Sequence, residues 1–209
     1  MSYVQTKYSQ ISGRSMIEMI GVLTIIGILG AGGLIGYSKA MRRHRLNETI
    51  SDIAVMTTNV RTFFAHSDNY DSFDVETAIK YNIATERMIG VGNTLVNQYN
   101  GRITIELDKA RENGSDNTAF ILTYRDLPVE ACIGLARTDW GYEEKYGFIS
   151  VSVGSDDGSG QAIPSYPKEP SQYFIENRQL RPLDMEEALT NCTGSNPTAA
   201  QSIVSLKFY

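Results

Sequence analysis

The sequence contains little of what catalysis and metal binding require. It has two histidines, His44 and His66, and two cysteines that form no CxxC pair. It also lacks the GxSxG, GxxxxGKS/T and HExxH motifs, which hold a nucleophile, a phosphate or paired metal ligands at fixed spacing. These absences exclude the common motif-bearing hydrolases and nucleotide-binding proteins. We therefore expect a non-enzyme that needs no metal and no cofactor.

An excess of positive charge is also missing. The chain of 209 residues carries a formal net charge of -5, and its pI is near 5.1. Proteins that bind nucleic acids usually present a basic face, so we expect no nucleic-acid partner. Hydrophobic residues make up 42% of the chain and aromatic residues 10%, which predicts a folded domain rather than a disordered one.

Proline is absent before Pro128, so no proline interrupts a helix in the N-terminal half. One helix is predicted from about Ser15 to about His66. Its second half has an apolar face built from steps of three, four and seven residues. That face comprises Leu46, Ile50, Ile53, Val60 and Phe64, whereas Asn47, Ser51, Asp52 and Asn59 are expected elsewhere on the helix.

A long hydrophobic run is present near the N-terminus. The run from Met19 to Tyr37 contains one polar side chain, Thr24, and directly follows the carboxylate Glu18. As a helix this run rises about 28 Å, close to the thickness of the hydrocarbon core of a bilayer. An acid at the edge of such a segment is costly without a partner, so Glu18 is a candidate functional residue.

The run differs from a secretory signal peptide. Such signals have about 7 to 15 apolar residues with a small-x-small cleavage site behind them. Here the run is longer, and no such site follows it. We therefore expect the run to stay in the mature protein, with residues 1–13 as a short polar leader. The residues behind the run are instead basic: Lys39, Arg42, Arg43, His44 and Arg45.

The two cysteines, Cys132 and Cys192, lie far apart in the sequence. An even number of cysteines beside a membrane-targeting segment favours a disulfide formed in an oxidising compartment. Such a bridge closes a loop of about 60 residues and stabilises the fold by about 4 kcal/mol in the loop-entropy description. The alternative is two unrelated buried thiols.

The N-terminal stretch at residues 13–22 resembles a known family. Gly13, Glu18 and the apolar helix that follows have the spacing found at the N-terminus of type IV prepilins. The resemblance implies that a prepilin peptidase cleaves between Gly13 and Arg14, and that the new terminal amine of Arg14 is N-methylated. Glu18 stands at the fifth mature position, where this family has a glutamate. The first mature residue is usually apolar in this family, and here it is Arg14.

The resemblance also implies a role for Glu18 in assembly. In a fibre the hydrophobic helices of many copies pack together, and Glu18 leaves the water. The amine or guanidinium of Arg14 on a neighbouring copy then supplies the opposite charge, which gives registry as well as attraction. The alternative is a carboxylate that stays at the lipid headgroups. The glycines at 30–33 predict either a bend on assembly or simple close packing of helices.

Beyond the helix the sequence predicts an α+β head, in which helices pack on an antiparallel sheet. Alternating residues predict strands at 102–107, 119–124, 147–153 and 203–208. Proline at a helix start predicts short helices after Pro128 and from Pro182 to Thr190. A further helix is expected from Val75 to Tyr81, with Asp71 or Ser72 as its N-cap.

Residues 154–170 are rich in glycine, serine, aspartate and proline, which predicts a surface loop. Asp156 and Asp157 lack the spacing of an EF-hand loop, so a turn is favoured over a calcium site. Four aromatic residues near this loop are expected to pack in the core, with contact to a receptor as the alternative. They are Trp140, Tyr142, Tyr146 and Phe148.

The order of these pieces resembles the type IVb subclass of pilins. Similar features are the strand entry at 100–103, the first cysteine on a short helix after Pro128, and a last strand after Cys192. The resemblance implies that a disulfide between Cys132 and Cys192 bounds a surface-exposed region.

We therefore interpret the chain as a structural subunit of a type IVb-like pilus. The leader occupies residues 1–13, the transmembrane and assembly helix residues 14–41, and the globular head residues 42–209. The resemblance implies a homopolymer, with a prepilin peptidase and the pilus assembly machinery as further partners. It implies the inner membrane as the location before assembly and an extracellular fibre, with a role in adhesion, afterwards.

Two other interpretations remain open. A minor pilin or a type II secretion pseudopilin has the same sequence features and primes a short fibre. A single-span sensor or anchored ligand-binding domain belongs to another class. It is favoured by the positive-inside tendency, because the basic cluster at 39–45 follows the apolar run and would place the head in the cytoplasm.

Overall fold

The computed structural model describes residues 16–110, 115–141, 147–155, 175–176, 179–180, 183–193 and 202–209. These residues belong to two units, one ending at Arg43 and one spanning His44–Tyr209. The helices are α1 (Met16–Phe63), α2 (Val75–Lys80), α3 (Val129–Ala136) and α4 (Met185–Thr193), with a 3-10 turn at Glu86–Met88. The strands are β1 (Ile89–Gly90), β2 (Thr94–Val96), β3 (Arg102–Asp108), β4 (Ala119–Leu127), β5 (Phe148–Ser155), β6 (Ile175–Glu176), β7 (Gln179–Leu180) and β8 (Ser202–Phe208).

Helix α1 confirms the long helix predicted from the sequence. It begins at Met16, the first residue of the described chain, and ends at Phe63, three residues before the expected end at His66. Ile53 and Val60, both on the predicted apolar face, are fully buried. The 3.6-residue period therefore identified the face of α1 that packs in the second unit.

Six strands form one antiparallel sheet in the order β1-β2-β3-β4-β8-β5. Leu122 of β4 pairs with Ile105 of β3 on one side and with Leu206 of β8 on the other. The last strand, β8, lies between β4 and β5, so the C-terminal residues complete the middle of the sheet. The predicted α+β fold, with a long helix packed on an antiparallel sheet, is confirmed, and so are its four predicted strands.

The short hairpin formed by β1 and β2 was not predicted from the sequence. Gly90 pairs with Thr94, and residues 91–93 form the turn between them. Gly92 and Asn93 have φ angles of 75° and 55°, which glycine and asparagine adopt more easily than other residues. The residues that interrupt the sequence pattern are thus the turn of a hairpin rather than a long loop.

Aromatic rings dominate the core between α1 and the sheet. Phe120 on β4 contacts Tyr70, Phe73 and Phe208, with ring centroids 5.0, 5.5 and 5.6 Å away. Edge-to-face and offset contacts of this kind add about 0.5–1.5 kcal/mol each to the gain from burial. The rings therefore join the loop after α1 to the two central strands.

Asp52 on α1 contradicts the expected arrangement of the helix faces. The sequence pattern predicts this side chain away from the core, yet it is 3% exposed. Its carboxylate accepts hydrogen bonds from Thr85 Oγ1 at 3.2 Å, Arg87 Nη2 at 2.9 Å and Gln98 Nε2 at 3.0 Å. A buried carboxylate is tolerated when it is paired and hydrogen-bonded in this way. Burial, and to a smaller extent the charge of Asp52, raises the pKa of Tyr124.

The N-cap of α2 is Asp74, and the expectation of Asp71 or Ser72 is wrong. Asp74 Oδ1 accepts a hydrogen bond from the backbone N–H of Thr77 at 2.7 Å, and this bond lowers the pKa of Asp74. Asp71 Oδ1 instead accepts a hydrogen bond from Asn117 Nδ2 at 2.7 Å. Ser72 has a φ of 69°, which is unlike the extended backbone of a cap.

Helix α4 begins at Met185 rather than at the predicted Pro182. The backbone N–H of Glu187 donates to Asp184 Oδ1 at 2.9 Å, and the backbone N–H of Asp184 donates to Glu187 Oε2 at 3.1 Å. This reciprocal pair is a capping box. The helix therefore starts where two side chains satisfy its first free N–H groups.

A disulfide joins Cys132 of α3 to Cys192 of α4, and their Cα atoms are 5.9 Å apart. Both cysteines are completely buried, so the predicted bridge is confirmed and the alternative of two unrelated thiols is wrong. Ser202 Oγ, at the start of β8, donates to the carbonyl oxygen of Cys192 at 2.8 Å. The helix pair is thereby connected to the central strand.

Several predicted features fall outside the described residues. They are the cleavage residues Gly13 and Arg14, the aspartates Asp156 and Asp157 with most of the loop at 154–170, and the aromatic residues Tyr142 and Tyr146. The other two aromatic residues of that group lie in the core. Phe148 is 3% exposed, and Trp140 packs against the core while its Nε1 donates to the carbonyl oxygen of Leu135 at 3.1 Å.

Candidate functional site

The first unit is an exposed apolar helix. Every residue of α1 from Met16 to Arg43 is exposed. An 18-residue window of α1 has a mean hydropathy of 2.2, and none of that window is buried. A core helix of similar hydropathy is mostly buried, so the apolar surface of this unit does not serve the core. By length and composition this segment is able to cross a membrane.

The polar side chains within and just after the apolar run are satisfied inside the helix. Thr24 Oγ1 donates to the carbonyl oxygen of Ile20 at 2.8 Å, and Ser38 Oγ donates to that of Leu34 at 2.9 Å. A hydroxyl without a hydrogen bond is costly in hydrocarbon. Because these two hydroxyls have acceptors within the helix, the run can enter an apolar environment while both keep a hydrogen bond.

Glu18 lies in the first turn of α1, where the positive end of the helix dipole favours a carboxylate. Its neighbours are apolar and well exposed: Met16 at 82%, Ile17 at 77%, Met19 at 56% and Ile20 at 59%. The structure thus places the predicted acid within the predicted apolar surface. Any partner that covers this surface must also accommodate the carboxylate.

The six glycines of the run have open space around them. Apart from the adjacent residues and the backbone of the same helical turns, a Cβ atom added at any of them meets no heavy atom of the described chain within 4 Å. Helix α1 continues without a break through the glycines at 30–33. Packing within the chain therefore does not explain these glycines, although each costs a helix up to about 1 kcal/mol relative to alanine. The bend expected on assembly stays a prediction.

Within the second unit, the globular unit spanning His44–Tyr209, charged groups connect the second part of α1 to the segment after α2. This pairing was not predicted from the sequence. Arg87, after α2, donates to Asp52 and also forms an ion pair with Glu48 one helical turn earlier. The one available signal was the spacing of Glu48 and Asp52, which places two carboxylates on one side of the helix. The partner Arg87 comes from a segment with no periodic pattern.

No cluster of three His, Cys, Asp or Glu side chains suited to a metal ion occurs within the described ranges. The two cysteines are joined to each other. The first unit offers exposed apolar surface together with the carboxylate of Glu18.

The chain was compared with families of known proteins through their sequences and structures. The sequence model described as PilS N terminal matches residues 43–205, well over half of the chain. No curated protein sequence matches the chain significantly.

Two solved structures match part of the chain at low sequence identity. The crystal structure of a type IVb pilin from Salmonella typhi has 16% identity and a TM-score of 0.47, covering 77% of this chain and 97% of that one. The crystal structure of TcpA, a type IV pilin from Vibrio cholerae El Tor, has 13% identity and a TM-score of 0.45, covering 79% of this chain and 99% of that one. Because both TM-scores are below 0.5, the family assignment depends on the sequence match. On that match, which covers residues 43–205, the chain belongs to the PilS N-terminal family.

Proposed function

We propose that this chain is a type IVb-like pilin, and that it polymerises through its hydrophobic N-terminal helix to form a pilus. The observation that carries the proposal is the exposed apolar helix, with Glu18 in its first turn, on a chain of the PilS N-terminal family. Helices that leave lipid for a fibre gain stability from close van der Waals packing, to which small residues such as glycine are suited. Close packing of many such helices is the main source of binding energy in the fibre.

Maturation precedes assembly in this proposal. A prepilin peptidase removes residues 1–13 by cleaving between Gly13 and Arg14, and the new terminal amine of Arg14 becomes N-methylated. Residues 14–41 then form the assembly helix, and residues 42–209 form the head. Intact-mass measurement of the protein extracted from membranes reports leader removal, methylation and the disulfide together. An uncleaved chain after co-expression with a prepilin peptidase would contradict this step and favour a single-span anchored sensor.

The subunit is held in the inner membrane before assembly and in an extracellular fibre afterwards. The span of about 28 Å along the apolar run matches the bilayer, and the internal hydrogen bonds of Thr24 and Ser38 suit both lipid and a helix bundle. The partners are other copies of the chain and the pilus assembly machinery. Abundance in sheared filaments separates a major subunit from a minor pilin or a pseudopilin.

Glu18 sets the register of each incoming copy. Its carboxylate pairs with the positive N-terminal amine, or the guanidinium, of Arg14 on a neighbouring copy. A buried charge without its partner is strongly unfavourable, so copies that dock out of register are rejected. Glu18→Gln keeps the shape of the side chain and removes its charge, which makes it the sharpest single test.

We expect Glu18→Gln to reduce the amount of sheared filaments at least tenfold, while the amount of membrane-bound subunit is unchanged. Glu106→Gln is the matched control, because Glu106 is an exposed carboxylate on β3 of the globular unit. That variant should assemble like the unchanged chain. Normal filament yield from Glu18→Gln would overturn the pairing role.

A further inference from the structure

We propose that Lys39, Arg42 and Arg43 form a basic collar that binds the headgroup phosphates of anionic phospholipids. The inference relies on the proposed function for one point only, that the apolar run resides in a membrane before assembly. It goes beyond that function by assigning a lipid class to three residues behind the run.

The collar occupies one side of the helix. Its members stand at i, i+3 and i+4 of α1, a spacing that places side chains next to one another on the helix surface. All three residues are exposed. The helix rises about 6 Å from the first to the last of them, so their charged groups lie within one narrow layer.

The position of the collar matches the depth of lipid headgroups. The apolar run ends at Tyr37, an aromatic residue of the type enriched where hydrocarbon meets headgroups. The hydroxyl of Ser38 is satisfied by the carbonyl oxygen of Leu34, and Lys39 is the first cation of the helix after the run. With Tyr37 at the edge of the hydrocarbon, the next turn of the helix lies among phosphates.

The charge distribution of the sequence makes the segment around the collar locally cationic. No acidic residue occurs between Glu18 and Glu48. The first 45 residues contain six of the 19 Lys and Arg residues and one of the 24 Asp and Glu residues, and the remaining chain is strongly acidic. Lipid phosphates are the anions present at this depth in the membrane, and each Lys or Arg near an anionic surface contributes about 1 kcal/mol.

The collar accounts for the conflict with the positive-inside tendency. Cations behind a span oppose their own transfer across the membrane, but anionic headgroups stabilise them once they have crossed. The collar then retains the unassembled subunit, and extraction into a fibre has to break these contacts.

The test uses the full chain reconstituted in vesicles of phosphatidylcholine alone, or of phosphatidylcholine and phosphatidylglycerol in equal amounts. Spin-labelled analogues of each lipid report which lipid is held at the protein surface. The collar variant replaces Lys39, Arg42 and Arg43 by glutamine. The matched control replaces three cations of the globular unit by glutamine: Lys80, Arg102 and Lys109.

We expect the unchanged chain and the control to select spin-labelled phosphatidylglycerol. A single collar substitution should lower this selectivity about fivefold, and the collar variant should lose it. Added salt should weaken the selectivity by screening, whereas inorganic phosphate at equal ionic strength should add nothing beyond that screening, because the ligand is a lipid headgroup.

The possible failures are distinguishable. If the chain inserts in both vesicles without selecting a lipid, or if the collar variant keeps the selectivity, the collar proposal is overturned and the proposed function is untouched. If the collar variant keeps its lipid selectivity but loses filament yield, another copy of the chain is the true partner. If the chain inserts in neither vesicle, the result contradicts the proposed membrane location and, with it, the collar proposal.

Discussion

Asp52 is a charged side chain that is buried where α1 packs against the segment after α2. Three donors, from Thr85, Arg87 and Gln98, surround its carboxylate. Glu48, one turn earlier, pairs with the same arginine, but its side chain is 28% exposed against 4% for Asp52. Two carboxylates that share one cation thus differ in their exposure to water.

Replacing Asp52 by asparagine keeps the volume and removes the charge and one acceptor. We expect D52N to lower the free energy of unfolding by about 2 kcal/mol, because buried donors lose their acceptor. Urea denaturation followed by the fluorescence of Trp140, the single tryptophan, measures this change. The control E48Q should cost less than about 1 kcal/mol, since that pair is partly exposed. Equal losses in the two variants would show that burial is not the decisive difference.

Asp74 is an exposed carboxylate that makes the stability of the folded chain depend on pH. The backbone N–H of Thr77 stabilises its ionised form, so its pKa is lower in the folded chain than in the unfolded chain. A depressed pKa contributes stability above the unfolded value, near pH 4, and this contribution is lost as the pH falls through the folded value. Asparagine at the cap accepts the same bond without titrating.

We therefore expect the stability advantage of the unchanged chain over D74N to shrink as the pH falls below about 4. At neutral pH, D74A should cost about 1 kcal/mol through loss of the cap. Thermal unfolding of the three proteins at several pH values tests both statements. An advantage over D74N that grows at low pH would contradict the assigned sign.

The position of β3 depends on the turn at residues 97–101 that precedes it. Asn97 Oδ1 accepts hydrogen bonds from the backbone N–H groups of Tyr99 at 2.8 Å and Gly101 at 3.0 Å, and its Nδ2 donates to the carbonyl oxygen of Arg125 at 2.8 Å. A Cβ atom on Gly101 would overlap that same carbonyl oxygen. The glycine is therefore required by close approach of two strands.

We expect G101A to lower the free energy of unfolding by about 2 kcal/mol, because backbone rather than a flexible side chain must move. The control G36A makes the same chemical change where a Cβ meets no described heavy atom within 4 Å outside its own helical turns and adjacent residues. That variant should leave the unfolding of the globular unit unchanged. Both are measured in the same detergent-solubilised full-length protein. An unaltered midpoint for G101A would refute the steric argument.

At the scale of the whole molecule, the described residues separate by burial. The first unit, ending at Arg43, has no buried residue in its described part, whereas the core of the second unit consists of residues from Ile53 onward. Hydrophobic stabilisation is proportional to the apolar area removed from water. The stability of the globular unit therefore comes from its own residues, and the apolar helix serves contacts outside the chain.

A chain that starts at His44 should consequently fold by itself. We expect it to be soluble without detergent and to unfold cooperatively, because its core and its disulfide are retained. The full chain should need detergent or lipid. Gel filtration and calorimetry provide the measurement. Aggregation of the shortened chain, or loss of a cooperative transition, would show that residues before His44 contribute to the core.

Features with local causes were predictable from the sequence. The apolar period of α1 identified Ile53 and Val60 as core residues, and alternation located four strands of the sheet. The two errors at helix starts have a common origin. Asp74 and Asp184 were overlooked as caps because several turn formers stand close together in both segments, and only backbone geometry shows which one accepts the hydrogen bond.

Of the functional and buried polar residues, too, only those with local causes were predictable from the sequence. Glu18 and the apolar run are visible in the sequence because length, hydropathy and one carboxylate are properties of neighbouring residues. The burial of Asp52 was not visible, because its donors Thr85, Arg87 and Gln98 are more than 30 residues away along the chain. Pairing over such distances depends on the path of the loops.

The order of residues thus specified the hydrophobic helix, its acidic start and the strands, since these follow from periodicity and from the solvation of neighbouring side chains. The folded arrangement alone decided that β8 enters between β4 and β5, that Cys132 reaches Cys192, and that Asp52 is enclosed by donors. These features join groups that are remote in sequence, and their free energy depends on simultaneous contacts that no short segment encodes.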